Sequence, residues 1–415
     1  MSLKQQNTII KNITSLGLLQ LANYVMPIVI VPIIVRILGV EIFGKITYVQ
    51  NIISYTTIFI NFGFDYSATK QIAINKNNQP RINQIFCNVI SFKTLLLLAS
   101  YIFLFAYCFI SKSEINYKLL IYTSLINIGY TFFPNWFFQG IEKMEKIAIT
   151  NFIIKFIGTI LIIFTIHKQE DYLLYPLILS LSNIIVSFFL LIYTTQKYNI
   201  KLIKNISFQD PTIKNGLPIF INNIFGNLYS VGSITILGFF ASSTEIGLYS
   251  GIHKIIFAIV MLTSMPISMS LFPHISQQIH LNTKKGFQIY QKYIFYVILF
   301  AGGISILSFL FAPFIVKIML GTEFLNVINI FKLLSIQPLL ISLASMLTTV
   351  GLYSFNLEKF APLVGVLVSL SATTIYLILI PKLGMIGAAY GYIFAEIIEI
   401  IISSFFILRY KKNNI

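Results

Sequence analysis

The chain has 415 residues, of which 57% are hydrophobic and 10% charged, and its mean hydropathy of +0.84 exceeds what a water-solvated core of this length can use. Lipid is the expected solvent. The formal net charge of +16 does not point to nucleic acid, because Lys and Arg are scattered a few at a time between long apolar runs, as beside membrane helices.

From the N-terminus, "MSLKQQNTIIKNITS" is polar for too long to resemble a cleaved leader, and no small-residue cleavage site follows the first apolar run, which is expected to stay as a span. Apolar runs of about 20 residues, the length that crosses about 30 Å of hydrocarbon as a helix, then recur at 14–38, 42–64, 85–110, 118–138, 149–167, 173–195, 215–241, 250–272, 291–312, 326–354, 360–381 and 387–408. Segments such as "LILSLSNIIVSFFLLIY" do not alternate in polarity, which excludes a membrane barrel. The fold class is therefore all-α and polytopic, with twelve transmembrane helices. Cys87 and Cys108 fall in one run, about 31 Å apart along a helix, too far to bond to each other.

The connections after even-numbered spans, with both termini, hold most of the Lys and Arg, among them Lys70, Lys76, Arg81, Lys143, Lys146, Lys197, Lys201, Lys214, Lys284 and Lys285. The positive-inside rule puts both termini in the cytoplasm. The opposite loops are short and leave no room for an outer catalytic domain. "EIFGKITYVQNI" (Glu41 to Ile52) recurs loosely as "EIGLYSGIHKII" (Glu245 to Ile256), with Gly44 falling on Gly247. Six spans per half, starting on the same side, make parallel repeats. The expected division is a six-helix lobe over 1–195, a cytoplasmic connection over 196–214, and a second six-helix lobe over 215–415, related by a pseudo-twofold.

Enzyme signatures are absent from the sequence: no phosphate loop, no H-E-x-x-H, no Cys/His metal cluster and no G-x-S-x-G. No cofactor and no metal are expected. His167, His253, His274 and His280 fall at span ends or in a loop, where solvated side chains are the ordinary explanation. Without an ATP-binding module, transport would draw on an ion gradient, the membrane potential or the substrate's own gradient.

A charge at mid-depth costs about 2.5 to 3.5 kcal/mol on insertion scales unless it meets protein or water. Lys93 and Lys155 lie about two turns inside the cytoplasmic ends of spans 3 and 5, and Lys254 and Lys332 at similar depth below the outer ends of spans 8 and 10. Each could snorkel to its interface; as a set they would suit an anion passing between them. Glu396 and Glu399 share one face of span 12, about 14 and 18 Å from its outer end, and read either as an ion-coupling site or as a structural bond between helices. Asn222, Asn223 and Asn227 in span 7, with Gln20 and Asn23 in span 1, can bond sugar hydroxyls or neighbouring helices. Pro27 and Pro32 permit bending there. Trp136 of "PNWFFQGIEKMEKI", at the cytoplasmic end of span 4, reads as an interfacial anchor.

Five stretches, "RILGVEIFGKITYVQNI", "FGFDYSATKQIA", "PNWFFQGIEKMEKIAIT", "TEIGLYSGIHKI" and "KLGMIGAAYGYIFAEIIE", come in order on this frame. With them the chain resembles, over essentially its whole length, the bacterial polysaccharide-unit (O-antigen) flippases of the multidrug/oligosaccharidyl-lipid/polysaccharide exporter superfamily. The resemblance implies two six-helix lobes around a central cavity lined by spans 1, 2, 7 and 8. It also implies a substrate, an undecaprenyl-diphosphate-linked oligosaccharide passed from the cytoplasmic to the periplasmic leaflet of the inner membrane. A polysaccharide polymerase and a chain-length regulator would be partners, alongside membrane lipid. On this reading Arg36 and Lys254 are the first candidates for pyrophosphate contacts, Lys93 and Lys155 the second; Asn23, Asn223 and Asn227 are candidates for the sugars, and Glu396 and Glu399 for ion coupling. A drug or metabolite antiporter of the same superfamily, or a non-transport component of glycan assembly, are the alternatives.

Overall fold

The computed structural model describes residues 3–110, 116–201 and 207–414, with side chains from Val29 onward apart from those of 109–110 and 413–414. Among these residues there is no strand. The chain forms two compact units, one made of the chain up to Leu38 with Val49–Ile224, the other of Gly39–Tyr48 with Phe225–Ile415. The break between them falls inside continuous helices, and the ten residues after Leu38 group with the later half of the chain.

The helices in order are α1 (Leu3–Asn61), α2 (Phe64–Ile74), α3 (Gln79–Ile110), α4 (Tyr117–Ser124), α5 (Ile126–Phe132), α6 (Asn135–Gly140), α7 (Met144–Thr165), α8 (Leu174–Lys197), α9 (Pro211–Lys214) and α10 (Gly216–Ser230). Then follow α11 (Gly232–Phe240), α12 (Ser243–Leu281), α13 (Thr283–Leu310), α14 (Ala312–Met319), α15 (Ile328–Leu334), α16 (Gln337–Ser345), α17 (Ala361–Leu383) and α18 (Met385–Asn414). Eight helical segments among the described residues are long and apolar enough to cross a membrane, or nine if Pro211–Ser230 and Gly232–Phe240, bent by 54°, count as one span. The predicted first two spans fall in the single run α1, broken where Gly39 takes φ 75° and ψ 164°, a backbone that a side chain resists. The fourth predicted span is divided among α4, α5 and α6, each too short to cross alone. A π-helical turn at Met346–Leu352 continues the tenth.

In the unit containing α3 to α8, the core is aromatic. Phe64, Phe86, Trp136, Phe137 and Phe138 bury together with Ile72, Ile85, Ile147 and Leu190. Trp136 is therefore not the interfacial anchor expected of it: it is 1% exposed and packs on Phe86 at 5.4 Å between ring centres. The reason is local. α6 is six residues long, and Trp136, Phe137 and Phe138 all point into the protein, so the aromatic block is a plug and not a belt. On the solvated side of this plug Lys76 pairs with Glu142 at 2.7 Å.

The other unit shows local rules at work in α12. Ser242 accepts from the Glu245 backbone N–H at 3.2 Å while the Glu245 carboxylate accepts from the Ser242 N–H at 3.2 Å, a reciprocal cap that sets where the helix starts. At 39 residues α12 is about 58 Å long, well beyond one bilayer crossing. The two glycines that aligned in the sequence repeat meet here. A Cβ on Gly44 would collide with the Ser243 carbonyl, and one on Gly247 with the Val40 carbonyl. The recurrence of glycine in both motifs is thus explained by a backbone-to-backbone approach that only glycine permits.

Candidate functional site

Polar groups at membrane depth gather in two places, one in each unit. In the first, Lys93 lies fourteen residues into α3 and is 2% exposed. It does not snorkel. Its Nζ donates to the Tyr130 carbonyl at 2.6 Å. That carbonyl sits four residues before Pro134, which has no N–H to complete the helical bond. The carbonyl lies in the last turn of α5, which ends at Phe132, where helix carbonyls lack an intrahelical donor, and a lysine from another helix satisfies it. The Asp65 carboxylate, in the first turn of α2, acts on the Lys93 charge.

Lys155 was expected two turns from the cytoplasmic end of its span, but α7 begins at Met144. The lysine is therefore eleven residues from one end and ten from the other, about 15 Å from each. It lines a cavity of about 190 Å³ with Tyr130, Asn151, Thr159, Tyr175, Ser182 and Asn183.

In the second unit Lys254 places its Nζ 4.8 Å from the centre of the Phe43 ring, within cation–π range. Its neighbour His253 corrects a sequence expectation. Because α12 starts at Ser243, position 253 lies ten residues inside the helix, and the imidazole is 8% exposed instead of solvated. It lies 5.8 Å from Tyr249, 6.2 Å from Phe257 and 5.2 Å from Tyr392 between ring centres, while Tyr392 lies 5.4 Å from Tyr229. His253 Nε2, Ser250 Oγ and the Tyr229 hydroxyl meet no partner among the described residues.

Glu396 and Glu399 lie one and two turns beyond Tyr392 on α18. Glu396 is 2% exposed, and the Thr348 hydroxyl reaches the Glu399 carboxylate. Thr348 belongs to the π-helical turn, and such turns re-aim side chains that a regular helix would point elsewhere. Sequence reasoning found the two glutamates but missed His253, Tyr229, Tyr249, Tyr392 and Thr348. The polar one-turn ladder Tyr249–His253, set against the i, i+4, i+7 series Tyr392–Glu396–Glu399, was the available signal.

The remaining expected residues are less gathered. Arg36 is exposed near the Gly39 break, and Asn223 and Asn227 are half-buried one turn apart on α10. The side chains of Gln20, Asn23 and Pro27 lie outside the described residues. Outside the membrane, Arg81 donates to both Asp210 oxygens at 2.7 and 3.2 Å. Asn88 and the Thr212 backbone N–H donate to the same carboxylate at 3.0 and 2.9 Å. Burial pushes the Asp210 carboxyl up, but hydrogen bonds from Arg81 and Thr212 and the guanidinium charge outweigh it and hold it below its ordinary 3.8.

With no strand among the described residues, apolar over span after span, and carrying ionisable groups buried within those spans, the molecule is a multi-pass membrane protein. Its fold is similar to that of a multidrug resistance MATE family transporter of the MOP superfamily in its inward-facing conformation (TM-score 0.72, 14% identity, 97% of this chain and 100% of that one). It is also similar to lipid II flippase MurJ in an inward closed conformation (TM-score 0.70, 15% identity, 94% and 87%). The profile of the family described as "Polysaccharide biosynthesis protein" matches residues 9–279, and the chain belongs to that family. Among curated relatives it is 27% identical to a "Putative O-antigen transporter" of Escherichia coli (strain K12), over 84% of each chain. It is 25% identical to one of the same name from Shigella dysenteriae, over 94% of this chain and 98% of the other.

Proposed function

We propose that the protein is a flippase that moves undecaprenyl-diphosphate-linked oligosaccharide units from the cytoplasmic to the periplasmic leaflet by alternating access, coupled to an ion gradient. The observation that carries this reading is the combination of family membership over residues 9–279 with cations and carboxylates buried at membrane depth. A pyrophosphate and several sugars cannot cross hydrocarbon unaided, so such a carrier needs fixed positive charge and hydrogen-bonding groups inside the bilayer. Arg36 and Lys254 are proposed to contact the pyrophosphate, and Asn23, Asn223 and Asn227 the sugars. Lys93 serves first to close the Tyr130 carbonyl and braces the site. Glu396 and Glu399 are proposed to take up the coupling ion; the buried position of Glu396 and the Thr348 contact to Glu399 support this.

The same reading includes twelve spans in two six-helix lobes, both termini in the cytoplasm, and residence in the bacterial inner membrane beside a polymerase and a chain-length regulator. A drug or metabolite antiporter is the second reading, favoured by the fold similarity to a multidrug transporter. Deletion of the gene separates them. The flippase reading expects lipid-linked glycan to accumulate on the cytoplasmic face, restored to the outer face by the intact gene. Normal glycan translocation with altered drug sensitivity would favour the antiporter, and loss of glycan synthesis itself would count against both.

A further inference from the structure

The cavity around Lys155 is built for something other than a sugar chain. Its walls come from one face of α7 (Asn151, Ile154, Lys155, Gly158, Thr159), the facing side of α8 and residues of α5. Its volume of about 190 Å³ equals roughly six waters at about 30 Å³ each, below the size of a typical drug-sized ligand pocket. The lining holds one ammonium and no carboxylate. Around Lys155 stand the amides of Asn151 and Asn183, the hydroxyls of Thr159 and Ser182, and the phenols of Tyr130 and Tyr175.

One of these groups is oriented by its own helix: the Thr159 hydroxyl donates to the Lys155 carbonyl at 2.8 Å, which leaves its oxygen facing the cavity. α7 and α8 approach so closely that a Cβ on Gly158 would lie 2.7 Å from Ser182 Oγ, which brings the Ser182 hydroxyl beside the lysine's helix. The opposite face of α7, with Phe152, Ile153, Phe156 and Ile157, is exposed and apolar, so lipid borders the helix that carries the cation. A positive group midway along α7, with the amides of Asn151 and Asn183 and the Ser182 hydroxyl set in a mostly apolar lining, is complementary to a compact oxyanion with several acceptors.

We propose that this cavity is a second anion site, separate from Arg36 and Lys254, that takes one phosphate-type oxyanion. The chemistry is the same whether the phosphate belongs to a membrane lipid headgroup or is free in solution. The proposal does not depend on the carried substrate, and its test reads binding instead of transport.

The full-length protein, purified in a neutral detergent, is titrated with inorganic phosphate in one arm and with short-chain phosphatidylglycerol in the other. The unfolding midpoint is followed at constant ionic strength set by chloride. A saturable rise in the midpoint is expected in at least one arm: phosphate alone would identify a free anion, the lipid alone a headgroup. Lys155→Met should weaken the response by about tenfold or more, as expected for loss of one charge-assisted contact, and the exposed Lys292→Met should leave it unchanged. Asn183→Asp keeps the lysine and the shape but adds a negative charge to the lining. It should abolish the response, and it reads the site even where Lys155→Met fails to fold. No saturable rise in either arm, or a rise that Asn183→Asp leaves intact, would overturn the proposal.

Discussion

The two units meet the same problem, ionisable groups inside hydrocarbon, with opposite chemistry. In the unit of α3 to α8 the deep groups are cations: Lys93, locked to the Tyr130 carbonyl, and Lys155, at the wall of a small cavity with a mostly apolar lining. In the unit of α12 to α18 they are chiefly carboxylates and aromatic acids or bases: Glu396, Glu399, His253 and the tyrosines around them, with Lys254 over an aromatic face. One unit's buried charge is chiefly cationic, with Lys93 closing a backbone carbonyl, while the other buries the Glu396 carboxylate and the His253 imidazole.

The sharpest way to break this contrast is Glu396→Gln. The amide keeps the volume and loses the charge, so coupling should fail while packing survives. Complementation of glycan export at matched expression is expected to fall by about tenfold or more, with the unfolding midpoint near that of the wild type. Full export by Glu396→Gln would remove the carboxylate from the cycle and reduce the contrast to one of packing.

The next largest effect tests the glycine approach. Gly44→Val forces side-chain carbon into the Ser243 carbonyl and should cost about 3 kcal/mol, the upper part of the overpacking range, read as a lower unfolding midpoint. A Lys45→Gln control removes only the exposed pair with Glu41 and should shift little. Below these comes Lys93→Met. Methionine fills the space but leaves the Tyr130 carbonyl without a donor, for about 2 kcal/mol, while transport by the folded fraction persists. Abolished transport with unchanged stability would move Lys93 from bracing to chemistry.

These cases show what sequence could and could not convey. The helical class was legible because lipid leaves the backbone only helices and closed barrels, and the apolar runs do not alternate as barrel strands would. Glu396 and Glu399 stood out because a carboxylate in such a run has no bland explanation. Trp136 and His253 misled for one reason: each was judged by distance from an assumed span end. α6 is a short plug and α12 starts a full turn or more before its apolar run, so both residues are deeper than the hydropathy boundary suggests. The bond from Lys93 to Tyr130 joins residues 37 apart, and nothing local announces it except the proline four positions on. The π-helical turn that brings Thr348 to Glu399 has no sequence signature.

An effect of similar size to that of Lys93→Met lies outside the membrane, where the first unit uses charge conventionally. Arg81 and Asp210 tie the start of α3 to α9, with the side chains 22% and 2% exposed. The folded carboxyl titrates below its ordinary 3.8, so the unfolded chain binds the proton more readily. The brace is therefore complete above the unfolded value and is lost as pH falls through the folded one. Asp210→Asn should be less stable than the wild type by about 2 kcal/mol at pH 7, somewhat under the cost of breaking a fully buried pair, because Arg81 keeps some solvent. Unfolding midpoints measured from pH 7 down to about pH 3 should show that gap closing only below about pH 4. A gap that stays constant across the range would assign the loss to the cap on Thr212 and not to the ion pair. The charge contrast between the units would then rest on their membrane-depth groups alone.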